Sequence, residues 1–400
     1  MDPPSGADGL ATHPRSPHLM QRVVHALTPG DHFSPRTGSA IPTVVDGLAT
    51  AARGDREYTH AVLLERSTMH PRYRSAVAIE YHGVGYTARW ERGLDAGLSR
   101  LGLPRVRAQR VYHPLVDAIA SHGPAIVIAH NAPVLPRLLL GSQHTSVYFA
   151  HNELPRTMSQ SEASRALDPA VAILAVSADL AERVAARLSP TLRDRIDVVE
   201  NGVDVEAFHP REETATPRSR RRIMFVGRVV AEKGPDVLLR AVAKLARDDV
   251  EVVIVGSQGF DAAAALSTYE QELRAIAATM SASVVFQPFV DRERLPDLLR
   301  SADIFAAPAR WSEPSGLTIG EAMSSGLPVI ASDAGGMPGV LGTAGVLVPP
   351  GDHIALSHAL GALLDDDVEL RRLSAASRLR AQSRSWERSW QQLRTALDSI

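Results

Sequence analysis

Glu313-Pro314-Ser315-Gly316-Leu317-Thr318-Ile319-Gly320-Glu321-Ala322-Met323 sets two glutamates between two apolar runs, Ile304-Phe305-Ala306-Ala307 and Val329-Ile330-Ala331-Ser332. Pro314 and Gly316 make the first part a loop, and Ala322-Met323 lie on the helix that follows. Ser325-Gly326-Leu327-Pro328 ends that helix with a glycine and then a proline. Strand, polar loop, helix and strand in this order are the unit of a parallel α/β sheet. Loops at the carboxyl ends of such strands form ligand crevices. Bare amides from Ser315 to Thr318 open the helix and suit an anion. Two carboxylates beside an anion site point to a ligand with both phosphate and sugar hydroxyls. On spacing alone, Glu313 reads equally as a solvated loop acid and Glu321 as a first-turn acid complementing the helix dipole.

Upstream, a second α/β unit begins with the strand Ile223-Met224-Phe225-Val226, followed by Gly227-Arg228, Lys233-Gly234 and a helix over 235–247. Arg228 and Lys233 bracket one loop at a strand's carboxyl end. Their charge suits a diphosphate and its departure as a leaving group; two exposed loop cations are the plainer alternative. Val252 to Gly256 is the next strand, with a long helix expected over 262–280. Then come the strand Val284-Val285-Phe286, the loop Pro288-Phe289-Val290-Asp291 and a helix over 295–300. Gly335-Gly336, after the last quoted strand, suits close backbone approach to a ligand. Asp365-Asp366-Asp367 reads as a cap and helix-start charge run in preference to a metal site.

The N-terminal half has the same grammar. Residues 21–27 form a first strand, followed by a loop containing Gly30, Pro35, Gly38 and Ser39 and a helix over 40–52. The amides near Gly38 are placed to meet a phosphate or another polar ligand. Further strands are expected at 61–64, 76–79, 125–128, 146–149 and 173–177, with Ser177 capping a helix over 179–188. His130-Asn131 and His151-Asn152-Glu153 each follow an apolar strand, so both histidines are expected at carboxyl edges facing one crevice. A strand-end cap is the ordinary alternative for each. Val198 to Asp204, with its Asn201-Gly202 turn, closes this half, and the Pro- and Arg-rich stretch 210–222 reads as a linker. Gly83-Val84-Gly85-Tyr86-Thr87-Ala88 matches a dinucleotide fingerprint in letters only. His82 separates it from its strand and no acid follows about 20 residues on, which disfavours an NAD oxidoreductase.

Four hundred residues with 44% hydrophobic and 22% charged side chains suit a globular protein of two or three domains. A net charge of −2 gives no dedicated nucleic-acid surface. The absence of cysteine excludes disulfides, thiolate nucleophiles and Cys-ligated zinc. No apolar run reaches the ~18–20 residues that span a membrane, and residues 1–20 read as a disordered leader without a signal-peptide core. A cytoplasmic location is expected.

Taken together, Glu313-x7-Glu321 and Gly227-Arg228-x4-Lys233-Gly234 resemble family 4 retaining glycosyltransferases with the GT-B fold. The resemblance is strongest over about 198–348 and weaker before residue 190. It implies two Rossmann-like domains facing across a cleft: 21–205 for the acceptor and 206–382 for the nucleotide sugar, with 383–400 a helix crossing back onto the first. It also implies no cofactor and no metal, a UDP-sugar donor and a small hydroxylated acceptor, in a monomer or homodimer. Arg228, Lys233 and the Ser315, Gly316, Leu317 and Thr318 amides would stabilise the departing diphosphate. Glu321 would hold the ribose, Glu313 the sugar hydroxyls, and Phe289 and Val290 the base. His151 would touch the sugar or the acceptor, and His130 and Asn152 the acceptor. Ser315, Gly339 and Gly38-Ser39 depart from the family's usual Phe, Glu and Gly-Gly. The run Thr28 to Ala40 further resembles enzymes that glycosylate 2-deoxystreptamine-type aminocyclitols or pseudodisaccharides in actinobacterial antibiotic biosynthesis. A GT-B-fold UDP-sugar 2-epimerase and a transferase with a lipid or polysaccharide acceptor remain open on the same fold, while the intact set of Arg228, Lys233, Glu313 and Glu321 argues against a non-catalytic sugar-nucleotide binder.

Overall fold

Short runs of Val, Ile and Ala become the strands of two parallel sheets. The computed structural model describes residues 20–85, 105–212 and 219–400, with Gly93, Asp95, Gly97 and Leu98. The leader expected over 1–20 (Met20 apart), Tyr86-Thr87-Ala88 of the glycine pattern and residues 213–218 of the linker lie outside them.

The first sheet contains β1 (Gln21–Ala26), β2 (Tyr58–Glu65), β3 (Val77–Tyr81), β4 (Ile126–His130), β5 (Thr145–Ala150), β6 (Ala172–Ala175) and β7 (Ile196–Val198). Its order is β3-β2-β1-β4-β5-β6-β7. The second contains β8 (Arg221–Val226), β9 (Val250–Val255), β10 (Ser283–Gln287), β11 (Ile304–Ala307), β12 (Val329–Ser332) and β13 (Val346–Val348), in the order β10-β9-β8-β11-β12-β13. Every pairing is parallel. The order reverses between β1 and β4 and again between β8 and β11. Such switch points open a crevice beyond the strands' carboxyl ends.

Capping chemistry sets the helix ends. Ser177 accepts the Leu180 N–H at 3.2 Å, the expected cap, and the helix it starts runs over Ala178–Ala185, shorter than the expected 179–188. The helix expected over 262–280 is shorter, Thr268–Ala277, because a capping box fixes its start. The Ser267 hydroxyl accepts the Glu270 N–H at 3.2 Å while the Glu270 carboxylate accepts the Ser267 N–H at 2.8 Å. Asp366 accepts the N–H groups of Val368 and Glu369 at 2.9 and 3.0 Å, and Asp365 and Asp367 pair with Arg247 and Arg221. The aspartate run is a cap with flanking ion pairs.

The last helix, Trp386–Asp398, returns to the first domain. Trp386, Trp390, Leu393 and Leu397 are buried in one cluster with Val44, Leu48 and Tyr58. Gly47 makes room for Trp386: a Cβ there would lie 2.3 Å from the indole. The two chain crossings between the domains run side by side, with the Val203 N–H donating to the Arg384 carbonyl at 3.0 Å and Val203 bridged to Ser385.

Candidate active site

The helix Leu317–Ser324 begins at Gly316, whose φ of +79° lets the loop turn sharply into it. The N–H groups of Ser315, Gly316, Leu317 and Thr318 donate to nothing among the described residues. At its other end Leu327 N–H donates to the Ala322 carbonyl and Gly326 N–H to that of Met323, both at 3.0 Å, with Gly326 at φ +74°. This is the Schellman ending that the Gly-Leu-Pro signal promised.

Glu313 accepts from Lys233 and, at 3.1 Å, from the Trp311 indole N–H. The Lys233 ammonium lies 5.4 Å from the Trp311 ring centroid, so the indole holds cation and carboxylate together. Arg310 fixes the turn that carries Lys233. Its guanidinium donates to both Asp236 oxygens at 2.6 and 2.5 Å and to the Ala231 carbonyl at 2.9 Å. Arg228, in the same loop, is exposed and its side chain has no partner among the described residues.

Glu321 is buried, and its Oε1 accepts from Arg292 at 2.5 Å. Its Oε2 is buried with no partner among the described residues. An orphaned carboxylate oxygen on a cavity wall lacks a donor that a hydroxylated ligand can supply. Burial opposes the Arg292 charge, yet the Glu321 carboxylate keeps its pKa above the ordinary arginine value. The Arg292 backbone N–H reaches across the cleft to the Pro35 carbonyl at 3.0 Å.

These groups line one cavity of about 360 Å³ between the domains. That volume suits a small-molecule ligand. Gly38, His151, Asn152, Arg228, Lys233, Val290, Glu313, Ser315, Gly316, Leu317, Thr318 and Glu321 all contribute to its wall. Gly38 meets the opposite domain closely: a Cβ there would lie 2.6 Å from Phe260. Phe260 and Phe289 add an apolar wall, with ring centroids 5.8 Å apart.

Two expectations need correction. His130 does not face the crevice; it is fully buried and bonded through both ring nitrogens to His25 and His151. As the last residue of β4 it points into the sheet face, and Asn131 reaches the edge in its place. With φ +51°, Asn131 accepts the N–H groups of His151 and Asn152 at 2.8 and 3.1 Å. Gly335-Gly336 serve approach to the chain's own backbone. Cβ atoms there would lie 2.3 Å from the Glu313 carbonyl and 2.2 Å from that of Pro314. The Gly336 N–H donates to the Glu313 carbonyl at 2.7 Å. Sequence reasoning missed Arg292, Trp311, Phe260 and Asn131. Trp311 stands two positions before Glu313, but nothing local marks any of the four.

Two Rossmann-like domains closing on a cleft, with the last helix returned to the first, constitute the GT-B fold. Residues 209–380 match the family model described as glycosyl transferases group 1. The chain is similar to D-inositol 3-phosphate glycosyltransferase of Xylanimonas cellulosilytica, 37% identical over 210 residues, 48% of this chain and 49% of that one. It is also similar to spore coat protein SA of Bacillus subtilis, 30% identical over 258 residues, 60% of this chain and 68% of that one. The match spans about half the length of the D-inositol 3-phosphate glycosyltransferases. In fold, the structure resembles Anabaena HepE solved in complex with UDP-glucose, with a TM-score of 0.70 at 18% identity over 95% of this chain and 100% of that one. The chain belongs to the glycosyl transferases group 1 family.

Proposed function

We propose that the chain is a metal-independent, retaining glycosyltransferase of the family 4 kind. It moves a hexose from a UDP-sugar to a small polyhydroxylated acceptor. The observation that carries this reading is the cleft: unpartnered Arg228 and the free 315–318 amides stand beside Glu313 and the orphaned Glu321 oxygen.

The chemistry follows from placement. Arg228, Lys233 and the loop amides hold the diphosphate and stabilise the charge it gains as the glycosidic C–O bond breaks. The free Glu321 oxygen accepts a ribose hydroxyl. Glu313 accepts sugar hydroxyls and steadies the oxocarbenium-like state. The departing phosphate oxygen takes the acceptor's proton on the same face, so configuration is retained without a separate base. His151 and Asn152 meet the sugar or the acceptor. The acceptor is assigned to the cyclitol class, with a 2-deoxystreptamine-type aminocyclitol of antibiotic biosynthesis as the specific candidate. The Thr28 to Ala40 run supports it, and the inositol phosphate in the relatives' printed names is itself a cyclitol.

Mass spectrometry tests this, with UDP-glucose or UDP-N-acetylglucosamine, with and without aminocyclitols and inositol phosphate, in the presence of a chelator. A hexose-sized gain on one cyclitol is expected. UDP release with no cyclitol gain removes the acceptor class. Isomerised donor in the absence of acceptor replaces the transferase with an epimerase. Loss of turnover on chelation removes metal independence.

A further inference from the structure

Behind His151 a line of four imidazoles crosses the first sheet. His151 Nε2 lies 2.8 Å from His130 Nδ1, His130 Nε2 lies 2.9 Å from His25 Nδ1, and His25 Nε2 lies 2.9 Å from His60 Nδ1. The strand register explains the line. Val23 pairs with His60, His25 with Ile128 and His130 with Phe149, so each histidine stands two residues further along than its neighbour's partner, on the same face. The line therefore climbs from the amino half of β2 to the carboxyl edge beyond β5, where His151 meets the cavity.

All four rings are neutral. Burial holds His25 and His130 far below the ordinary imidazole range and lowers His60 to about 4 and His151 to about 3. A neutral imidazole has one N–H donor and one acceptor. Hydrogen bonds through a row of such rings must therefore all run the same way. Two states exist: every ring protonated on Nε2, or every ring protonated on Nδ1. In the first, His151 turns an acceptor, Nδ1, toward the cavity; in the second it turns a donor. Nδ1 of His151 has no partner among the described residues, so the ligand reads whichever state is present.

The far end decides between them. His60 Nε2 is buried without a hydrogen-bond partner among the described residues, and the His60 ring stands T-shaped to Trp390 of the returning helix, with centroids 4.9 Å apart and planes at 73°. A π face accepts an N–H but repels a lone pair. We propose that His25, His60 and His130 are positioning residues which, with Trp390 as the terminus, lock His151 as an acceptor for a hydroxyl of the bound sugar or acceptor. The ligand side rests on the transferase reading above; the tautomer side does not.

Nitrogen-15 correlation spectra of the histidine-labelled protein test the tautomers directly. Lone-pair shifts at Nδ1 and N–H shifts at Nε2 are expected in all four rings. Mixed tautomers among the four overturn the single line, and Nδ1–H throughout overturns its direction, whether or not any sugar is transferred. His60→Leu and His60→Asn test the coupling, because the asparagine oxygen can still accept from His25. Leucine is expected to give His151 both tautomers and to lower kcat/KM about tenfold, the worth of one neutral hydrogen bond; asparagine restores both. An unchanged His151 spectrum and unchanged kinetics in the leucine variant, with its fold verified by circular dichroism, would remove the positioning role.

Discussion

The two walls of the cleft solve the same problem with opposite chemistry. The second domain presents charge: Arg228, Lys233 and Arg292 against Glu313 and Glu321. The first presents neutral polar groups: the Gly38 loop, Thr43, His151 and Asn152. The charged residues come in short clusters, Arg228 with Lys233 and Glu313 with Glu321, which the fold then pairs across 80 residues for Lys233–Glu313 and 29 for Arg292–Glu321. Neutral groups depend on strands distant in sequence, as the span from His25 to His151 shows. The charged wall announces itself in short local motifs, whereas the wall that reads hydroxyls shows no such motif and is assembled by the sheet.

Acidification strikes the buried histidines of the first domain, His151 on the wall and His25, His60 and His130 behind it, and should have the largest effect. Each of these histidines has its folded pKa below the ordinary imidazole value of 6.5, so the unfolded chain binds more protons and stability falls as pH drops through 6.5 toward about 4 for His60 and 3 for His151. A histidine that stays neutral contributes up to ~1.4 kcal/mol per pH unit in that window. Asp31 and Asp46, raised by burial, act oppositely only near their own lower range. Denaturant titrations at pH 7, 6 and 5 should show steep loss; a flat profile would break the contrast between the walls.

Lys233→Ala strikes the charged wall. Turnover should fall by ~10²–10³, the scale of one lost electrostatic stabiliser, with the melting midpoint nearly unchanged. Single-turnover kinetics and calorimetry separate the two readouts, and equal turnover removes Lys233 from the chemistry. Glu321→Ala leaves the Arg292 charge without its carboxylate. Because Arg292 is only half-buried, the expected loss is ~2 kcal/mol, below the ~3–5 of a fully buried pair. Urea midpoints measure it, and adding Arg292→Met should recover most of the stability and none of the activity. Arg228→Ala should be mildest, raising KM for a UDP-sugar about tenfold with little change in stability, because the side chain has no partner among the described residues to lose. A KM that does not move would mean that Arg228 faces solvent alone.

Legibility follows the same division. The strand–loop–helix grammar made both sheets readable, and the three-residue edge strands β7 and β13 were the elements with too little pattern to announce themselves. Glu313, Glu321, Arg228 and Lys233 stood out because their spacing is local, and all four line the cavity. His130 misled because strand-end position fixes where a residue stands, not which face its ring takes. Arg292 sits among the charges of Asp291-Arg292-Glu293-Arg294, where nothing distinguishes the residue that reaches Glu321 from its solvated neighbours.

The paired crossings between the domains have a mechanical consequence. One flexible tether would leave the halves free to twist, slide and tip. Two strands of chain laid together at Val203 and Arg384–Ser385 act as the pins of a door, leaving one easy rotation about the line through them. Gly202, Val203 and Arg384 also lie beside Ser315, Gly316 and Leu317. Any rotation about that line would therefore move the far lip of the cleft more than the loop amides beside it.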